Sequence, residues 1–543
     1  MSGSKRPSNR RDFLRRSAAA TLATIGAPLA ARLGAVGQDA RPDMASTAGR
    51  RRERAYEIRN RPALHHKNQP LPRHVLNGDE DALPTRIANF SKGLPHNRLG
   101  EVERPAYEAL LKAIRSGKGD DFEDIPLGGM AKLADPMAAY SYVLEGADPQ
   151  QFTLNPPPRF NSIEQAGDLV ELYWQALLRD VPFSEYGSHP LALAAAEDLA
   201  RFPQFRPANG RKLDSQLLFR GPTSGDQLGP HISQFLLKEI QYGTRRLDHK
   251  IRTTVAGDDY LVKYPAWLAI QNGGAAGANR LDLTPRHILN GRDLAEYVHQ
   301  DFVYQAFLDA ALILLTMRVP FDSRNPYRNS VTQAGFGTFG GPHVLELIPR
   351  VAGAALKACW YQKWAMHRRA RPEEIAARVH NMKTGAASYP IHDALLTSPV
   401  LDLIARRFNS YLLPQAYAEG APLHPSFPAG HAAIAGACVT VLKAVFHEPQ
   451  VITEPVVSSP SGLAIVPYGG YDRLTVGGEL NKLAWNVSVG RNMAGIHYSS
   501  DATAGLQLGE NVALSVLDDA KECFTELFRG FSLTKFDGTT VSV

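Results

Sequence analysis

His424-Pro425-Ser426-Phe427-Pro428-Ala429-Gly430-His431 leads directly into an apolar run from Ala432 to Phe446. The run is apolar nearly all round, the mark of a helix buried on every side. A proline just ahead of it suits a helix start, where a missing N–H costs nothing. Ala429-Gly430-His431 is therefore expected to form the first turn of a central bundle helix. Free N–H groups at such a terminus attract anions, and glycine lets an anion come close.

Two further clusters frame this stretch. Upstream lies Lys363-Trp364-Ala365-Met366-His367-Arg368-Arg369-Ala370-Arg371-Pro372, and downstream Arg491-Asn492-Met493-Ala494-Gly495-Ile496-His497-Tyr498-Ser499-Ser500-Asp501. Lys363 and His367 are spaced to share a helix face. Pro372 disfavours α geometry at Arg371, which is expected at that helix's end. Lysine brings a point charge and arginine a planar fork, a combination that suits oxyanion oxygens. Arg491 and His497 do not share a helical face, so Gly495 is expected to turn the chain and aim both inward. Asp501 follows His497 at a spacing that lets it hold one imidazole nitrogen and fix the tautomer.

Each cluster alone has an ordinary explanation. Arg368, Arg369 and Arg371 would form a solvated helix face, and His431 would be a cap or a packed core histidine. Taken in this order, the clusters describe one pocket for a phosphate-like oxyanion, with a histidine able to bond its central atom.

These motifs resemble the three-part signature shared by vanadium-dependent haloperoxidases, bacterial class A acid phosphatases and type 2 phosphatidate phosphatases. The Lys363 to Arg371 spacing and His424 resemble the algal bromoperoxidase pattern. Similar stretches recur along the chain, among them Asn77-Gly78-Asp79-Glu80, Ala88 to Asn97, Glu171-Leu172-Tyr173-Trp174, Gly229 to Leu237, Gly291-Arg292-Asp293-Leu294 and Glu479 to Ala484. The resemblance covers nearly everything after about Tyr56. It implies a mainly α fold of paired four-helix bundles with a few short β-hairpins, and a vanadate cofactor. His497 would be the axial ligand to vanadium. Lys363, Arg371, Arg491 and the Gly430 N–H would hold vanadate oxygens, and Asp501 would support His497. His431 would be the acid–base group, His424 a second pocket histidine, and Lys363 would also polarise bound peroxide. The family's usual serine before the Gly-His pair is Ala429 here, which removes one hydroxyl donor.

The resemblance further implies a haloperoxidase that uses hydrogen peroxide to oxidise bromide or iodide, halogenating an organic acceptor, in a homo-oligomer of two or more chains. The alternatives are an acid phosphatase, with His497 attacking phosphorus and His431 protonating the leaving alcohol, and a catalytically impaired oxyanion-binding protein.

The remaining sequence fits an exported helical protein. The chain has 543 residues and a formal net charge of +6, much of it in an N-terminal arm, so nucleic acid is an unneeded partner. Asn9-Arg10-Arg11-Asp12-Phe13-Leu14, followed by a weakly apolar Ala-rich stretch, resembles a twin-arginine signal over residues 1–40. That stretch is too short for stable membrane insertion, and a periplasmic or secreted location follows. Residues 41–55 read as a polar, Arg-rich linker, and 56–543 as the helical domain, its site built from 360–505. Leu169, Leu172, Tyr173, Ala176 and Leu177 repeat at helical spacing, as do Val303, Phe307, Ala310, Ala311 and Leu314. Phe531 to Val543, around Asp537-Gly538, reads as a hairpin. Gly469-Gly470 and Gly477-Gly478 read as a turn-rich excursion. Cys359, Cys438 and Cys523 lack metal-site spacing, and Cys438 reads as a packed hydrophobe.

Overall fold

The computed structural model describes residues 42–83, 85–206 and 212–543. The signal segment expected over 1–40 lies outside the described residues. Pro42–Lys67 is one helix, where an irregular linker is expected over 41–55. The segment lacks an apolar face, but Ala, Arg and Glu have high intrinsic helix propensity. Exposed pairs such as Arg54 with Glu57, at 3.2 Å, lie along it. This helix closes a unit that ends at Lys67, and Asn68–Val543 fold as a second.

The second unit is mainly helical. Its principal helices are α1 (Ile163–Leu178), α2 (Gly291–Tyr297), α3 (Gln305–Thr316), α4 (Gly341–Trp360), α5 (Pro372–Lys383), α6 (Gly430–Val445), α7 (Val476–Met493) and α8 (Ser499–Lys521). Helix α6 is the centre of a bundle, packed against α8, α4 and α7. Every residue from Ala432 to Val445 is buried, as the all-round apolar pattern requires. Small residues bring α6 and α8 together. A methyl group on Gly509 would lie 1.9 Å from the Ala433 carbonyl oxygen, and one on Gly505 2.6 Å from that of Ala429. The two contacts advance together along both chains, so the helices run parallel. Their N-termini therefore meet at one end of the bundle.

Helix α1 buries Leu169, Leu172, Tyr173, Ala176 and Leu177, the positions expected from periodicity. Helix α3 begins at Gln305, just past Val303, which the sequence pattern had included. Among the described residues the sheets are three antiparallel hairpins: Ile240–Tyr242 with Arg245–Leu247, Val456–Ser458 with Ile465–Pro467, and Ser532–Thr534 with Thr540–Ser542. The last turns at Asp537-Gly538, with Gly538 at φ +82°. Gly477-Gly478 lie in the first turn of α7 rather than in a loop. Thr475 Oγ1 caps that turn by accepting from the Gly478 N–H at 3.2 Å. These glycines serve close packing, since a methyl on the facing Gly225 would stand 2.4 Å from Gly478 Cα. Cys359 and Cys438 are buried free thiols, and Cys523 is exposed. No described helix is long and apolar enough to cross a membrane.

Candidate active site

After α4 the chain widens into a π-helical turn, Tyr361–His367, and reverses at Arg368. Arg368 takes the left-handed conformation, φ +44°, an uncommon one for a side chain this large. Glu80 anchors it, accepting from Arg368 Nε at 2.8 Å and from its terminal nitrogen at 2.6 Å. Arg369 then runs extended, bridged to Asn89. Arg371 does not end the first helix as expected. It stands at the start of α5, immediately ahead of Pro372, the first helical residue. The widened turn also parts Lys363 from His367. His367 packs against the Phe427 ring at 4.9 Å, and neither of its ring nitrogens has a hydrogen-bond partner among the described residues.

The other expected residues converge. Lys363 Nζ donates to the carbonyl oxygens of Pro425 and Ser426, at 2.7 and 2.8 Å. Arg371 donates to the carbonyls of His424 and Ile496, at 2.9 and 2.8 Å. Its fork also meets His497 Nε2 and His424 Nδ1, each at 2.9 Å. Gly495, at φ +86°, makes the turn between α7 and α8, which brings His497 inward. His497 Nδ1 stands 3.0 Å from Asp501 Oδ2. Arg491 donates to the Val298 carbonyl at 2.6 Å, while its Nε has no partner among the described residues. His431 Nε2 meets Asp301 Oδ1 at 3.0 Å. Ala429 supplies no side-chain cap to α6, which leaves the Gly430 end of that helix open to an anion.

The hydrogen bonds fix one tautomer. Arginine only donates, so His497 Nε2 is an acceptor. His497 therefore carries its proton on Nδ1, facing Asp501, and its Nε2 lone pair accepts from Arg371. His424 Nδ1 lies between Arg371, a donor, and the Pro425 carbonyl, an acceptor at 3.2 Å. Burial, then Arg371, hold His497 well below the usual imidazole range despite Asp501. Burial, Arg371 and Lys363 do the same to His424. Burial also pushes Lys363 down to about 7, with Arg371 and Arg491 acting in the same direction. Arg371 falls to about 10, mainly through burial, with Arg491 adding to it. Burial opposes ionisation of Asp501, but Arg369 and His497 outweigh it and hold the carboxyl well below its usual range.

Three buried cations thus cluster beside a neutral histidine whose lone pair accepts from Arg371, and among the described residues none of their side chains has a carboxylate hydrogen-bond partner. Among the described residues, no group of three or more His, Cys, Asp or Glu is disposed to hold a metal ion. The donor set therefore fits an oxyanion whose central atom accepts an electron pair, and vanadate has that chemistry.

A family model described as the VCPO second helical-bundle domain matches residues 348–526. The vanadium-dependent bromoperoxidase of Corallina officinalis is 34% identical over 86% of this chain and 92% of its own length. That of Ascophyllum nodosum is 36% identical over 86% of this chain and 89% of its own. The chain belongs to the vanadium-dependent bromoperoxidase family. The homohexameric structure of the second vanadate-dependent bromoperoxidase from Ascophyllum nodosum aligns at a TM-score of 0.85 and 29% identity, covering 90% of each chain.

Asp301 and Asp168 escaped the sequence reading, which gave no site role to Arg369 and left open whether Ser426 replaces the hydroxyl missing at Ala429. Asp301 lies beyond the family-like Gly291-Arg292-Asp293-Leu294 and carries no motif of its own. Arg368 and Arg369, read alone as a solvated face, are buried instead. Ser426 does not stand in for the hydroxyl missing at Ala429, because its Oγ donates to Asp501 Oδ2 at 2.5 Å. A cavity of about 1270 Å³ reaches Asp168, Ser499, Ser500 and Phe427, but neither Lys363, Arg371 nor His497 lines it.

Proposed function

We propose that this chain is a vanadate-dependent haloperoxidase that oxidises bromide and iodide with hydrogen peroxide and passes the halogen to organic acceptors. The observation that carries the reading is the cluster of buried cations Lys363, Arg371 and Arg491, whose side chains have no carboxylate hydrogen-bond partner among the described residues, beside His497, whose Nε2 accepts from Arg371. Bound vanadate supplies a vanadium(V) Lewis acid that activates peroxide without changing its own oxidation state. His497 provides the protein's bond to vanadium, with Asp501 holding its other nitrogen. Lys363, Arg371, Arg491 and the Gly430 N–H hold the anion's oxygens. Lys363, kept from water, would add positive charge beside the bound group. His431, paired with Asp301, would give or take a proton at that group. His424 borders the pocket beside Arg371 and packs near the Trp360 ring, at 4.7 Å, so it would be placed to act on halide or peroxide.

Loading the protein with vanadate and supplying peroxide tests this. Bromide and iodide are expected to be oxidised, and chloride poorly. Hydrolysis of p-nitrophenyl phosphate with no halide oxidation from acid to neutral pH would overturn the reading in favour of the phosphatase.

Two features of setting belong to the same proposal. The homohexameric relative supports a homo-oligomer, and a monomeric mass by light scattering at micromolar concentration would refute one. The Arg10-Arg11 pair supports twin-arginine export to the periplasm or beyond. A reporter fused to residues 1–40 should lose export when both arginines become lysine.

A further inference from the structure

Asp501 is gripped from two sides. Its Oδ1 accepts from Arg369 at 2.7 Å. Its Oδ2 accepts from Ser426 Oγ at 2.5 Å, from His497 Nδ1 at 3.0 Å and from the Tyr498 N–H at 3.3 Å. Arg369 is itself fixed. Its guanidinium lies 3.8 Å over the Tyr498 ring, and its other terminal nitrogen donates to Gln165 Oε1 at 2.6 Å and reaches Asp168 at 3.2 Å. Ser426 joins these parts. Its N–H donates to the Arg369 carbonyl at 3.0 Å, its own carbonyl accepts from Lys363, and its hydroxyl reaches Asp501.

We propose that Arg369 and Ser426 are positioning residues that clamp the Asp501 carboxylate, so that the His497 proton stays on Nδ1 and the Nε2 lone pair stays aimed at the anion site. The proposal rests on the reading of His497 as the residue that bonds vanadium. A carboxylate offers about four lone-pair sites on two oxygens and can swing between partners. Held on both oxygens, Asp501 cannot follow a rotating imidazole. With the clamp released, the ring can turn, or place its proton on Nε2, where a proton excludes a bond to the metal. Partners of this kind typically alter metal affinity by roughly 10–100-fold.

The rival explanation is that Arg369 only neutralises Asp168 and Asp501 in a dry interior. Vanadate affinity, measured by equilibrium dialysis on the full chain, separates the two when thermal unfolding is recorded alongside. Arg369→Gln is expected to weaken vanadate binding by roughly 10–100-fold. Arg369→Lys should recover part of that loss, because lysine restores the charge without the fork. Ser426→Ala adds no bulk and should weaken binding by roughly tenfold, the lower end of that range. It decides the matter if Arg369→Gln fails to fold. His497→Ala serves as reference. If it loses vanadate while Ser426→Ala and the folded Arg369 variants bind like wild type, the clamp is overturned and the site reading stands. If His497→Ala binds like wild type, the site reading falls and takes the clamp with it.

Discussion

Two groups of buried cations make opposite electrostatic bargains in this molecule. Arg179 and Arg292 sit with Asp180 and Asp259. Arg179 pairs with Asp259, and Arg292 donates to Asp180 at 2.9 Å. Asp180 and Asp259 lift Arg292 above its ordinary value although burial works against it, whereas burial holds the enclosed Arg179 below its own in spite of Asp259. Lys363, Arg371 and Arg491 have only carbonyls and imidazoles to donate to, and burial depresses Lys363 and Arg371. Asp501 lies close enough to be felt, but its oxygens are committed to Arg369, Ser426 and His497. The first group is electrically closed and supports the fold. The second is open, and it becomes balanced only when an anion arrives.

The largest expected effect comes from breaking the closed group. Asp259→Ala would leave Arg179 without its carboxylate and Arg292 with Asp180 alone. Removing one partner from a buried ion pair costs about 3–5 kcal/mol, to be read as a lowered urea midpoint. Vanadate affinity of the folded variant should stay within about twofold of wild type, a change of roughly 0.4 kcal/mol. A stable Asp259→Ala protein would erase the contrast.

Opening the cage further should do the reverse. Arg491→Met removes one of three like charges and keeps much of the side chain's bulk. Without vanadate the variant should be at least as stable as wild type, because a buried charge without a carboxylate partner costs free energy. Its vanadate affinity should fall by about tenfold or more, since charge-assisted hydrogen bonds contribute about 1.5–3 kcal/mol. Loss of stability without loss of affinity would mean that Arg491 is structural.

Protonation of Lys363 sharpens the same point. Its amine sits at about 7 in the fold against an ordinary 10.5. Below pH 7 the folded protein bears the full cost of a buried charge. As pH rises from about 7 toward 10.5 the unfolded chain binds more protons than the folded one, so this group's contribution to stability rises with pH. Vanadate needs the charged amine. Affinity should therefore decline above about pH 7, by at most tenfold per unit from this group, and Lys363→Met should flatten that limb of the binding profile.

The sequence reading carried far where chemistry and periodicity coincide. The all-round apolar run after His431 became the buried α6, and Gly495 made the turn that aims His497. It failed where tertiary partners decide. Nothing local tells that Arg368 and Arg369 are buried, because Glu80 and Asp168, which balance them, lie far away in sequence. The π-helical turn at Tyr361–His367 left His367 outside the site, since even helical spacing was assumed. Pro372 marked a boundary correctly, but a proline can close one helix or open the next, and here it opens α5.

The smallest expected effect concerns the one hydroxyl that the family pattern leads one to expect and this chain lacks. Ala429 is fully buried beside the open end of α6, and its N–H is already committed to the Asp501 carbonyl at 3.0 Å. Ser426 cannot supply the donor while it holds Asp501. Ala429→Ser should therefore tighten vanadate binding by about 1 kcal/mol, roughly fivefold, less than a full charge-assisted bond because water can fill part of the role. The same serine occupies the capping position of α6, where replacing alanine typically stabilises by about 0.5–2 kcal/mol. A cap accepts from a backbone N–H through its oxygen, while the anion needs the O–H as a donor, so one hydroxyl serves both only in a rotamer that meets both geometries. Dialysis against vanadate and thermal unfolding without it tell them apart. A rise in melting temperature with unchanged affinity would show the hydroxyl turned into the helix, and the cage complete without it.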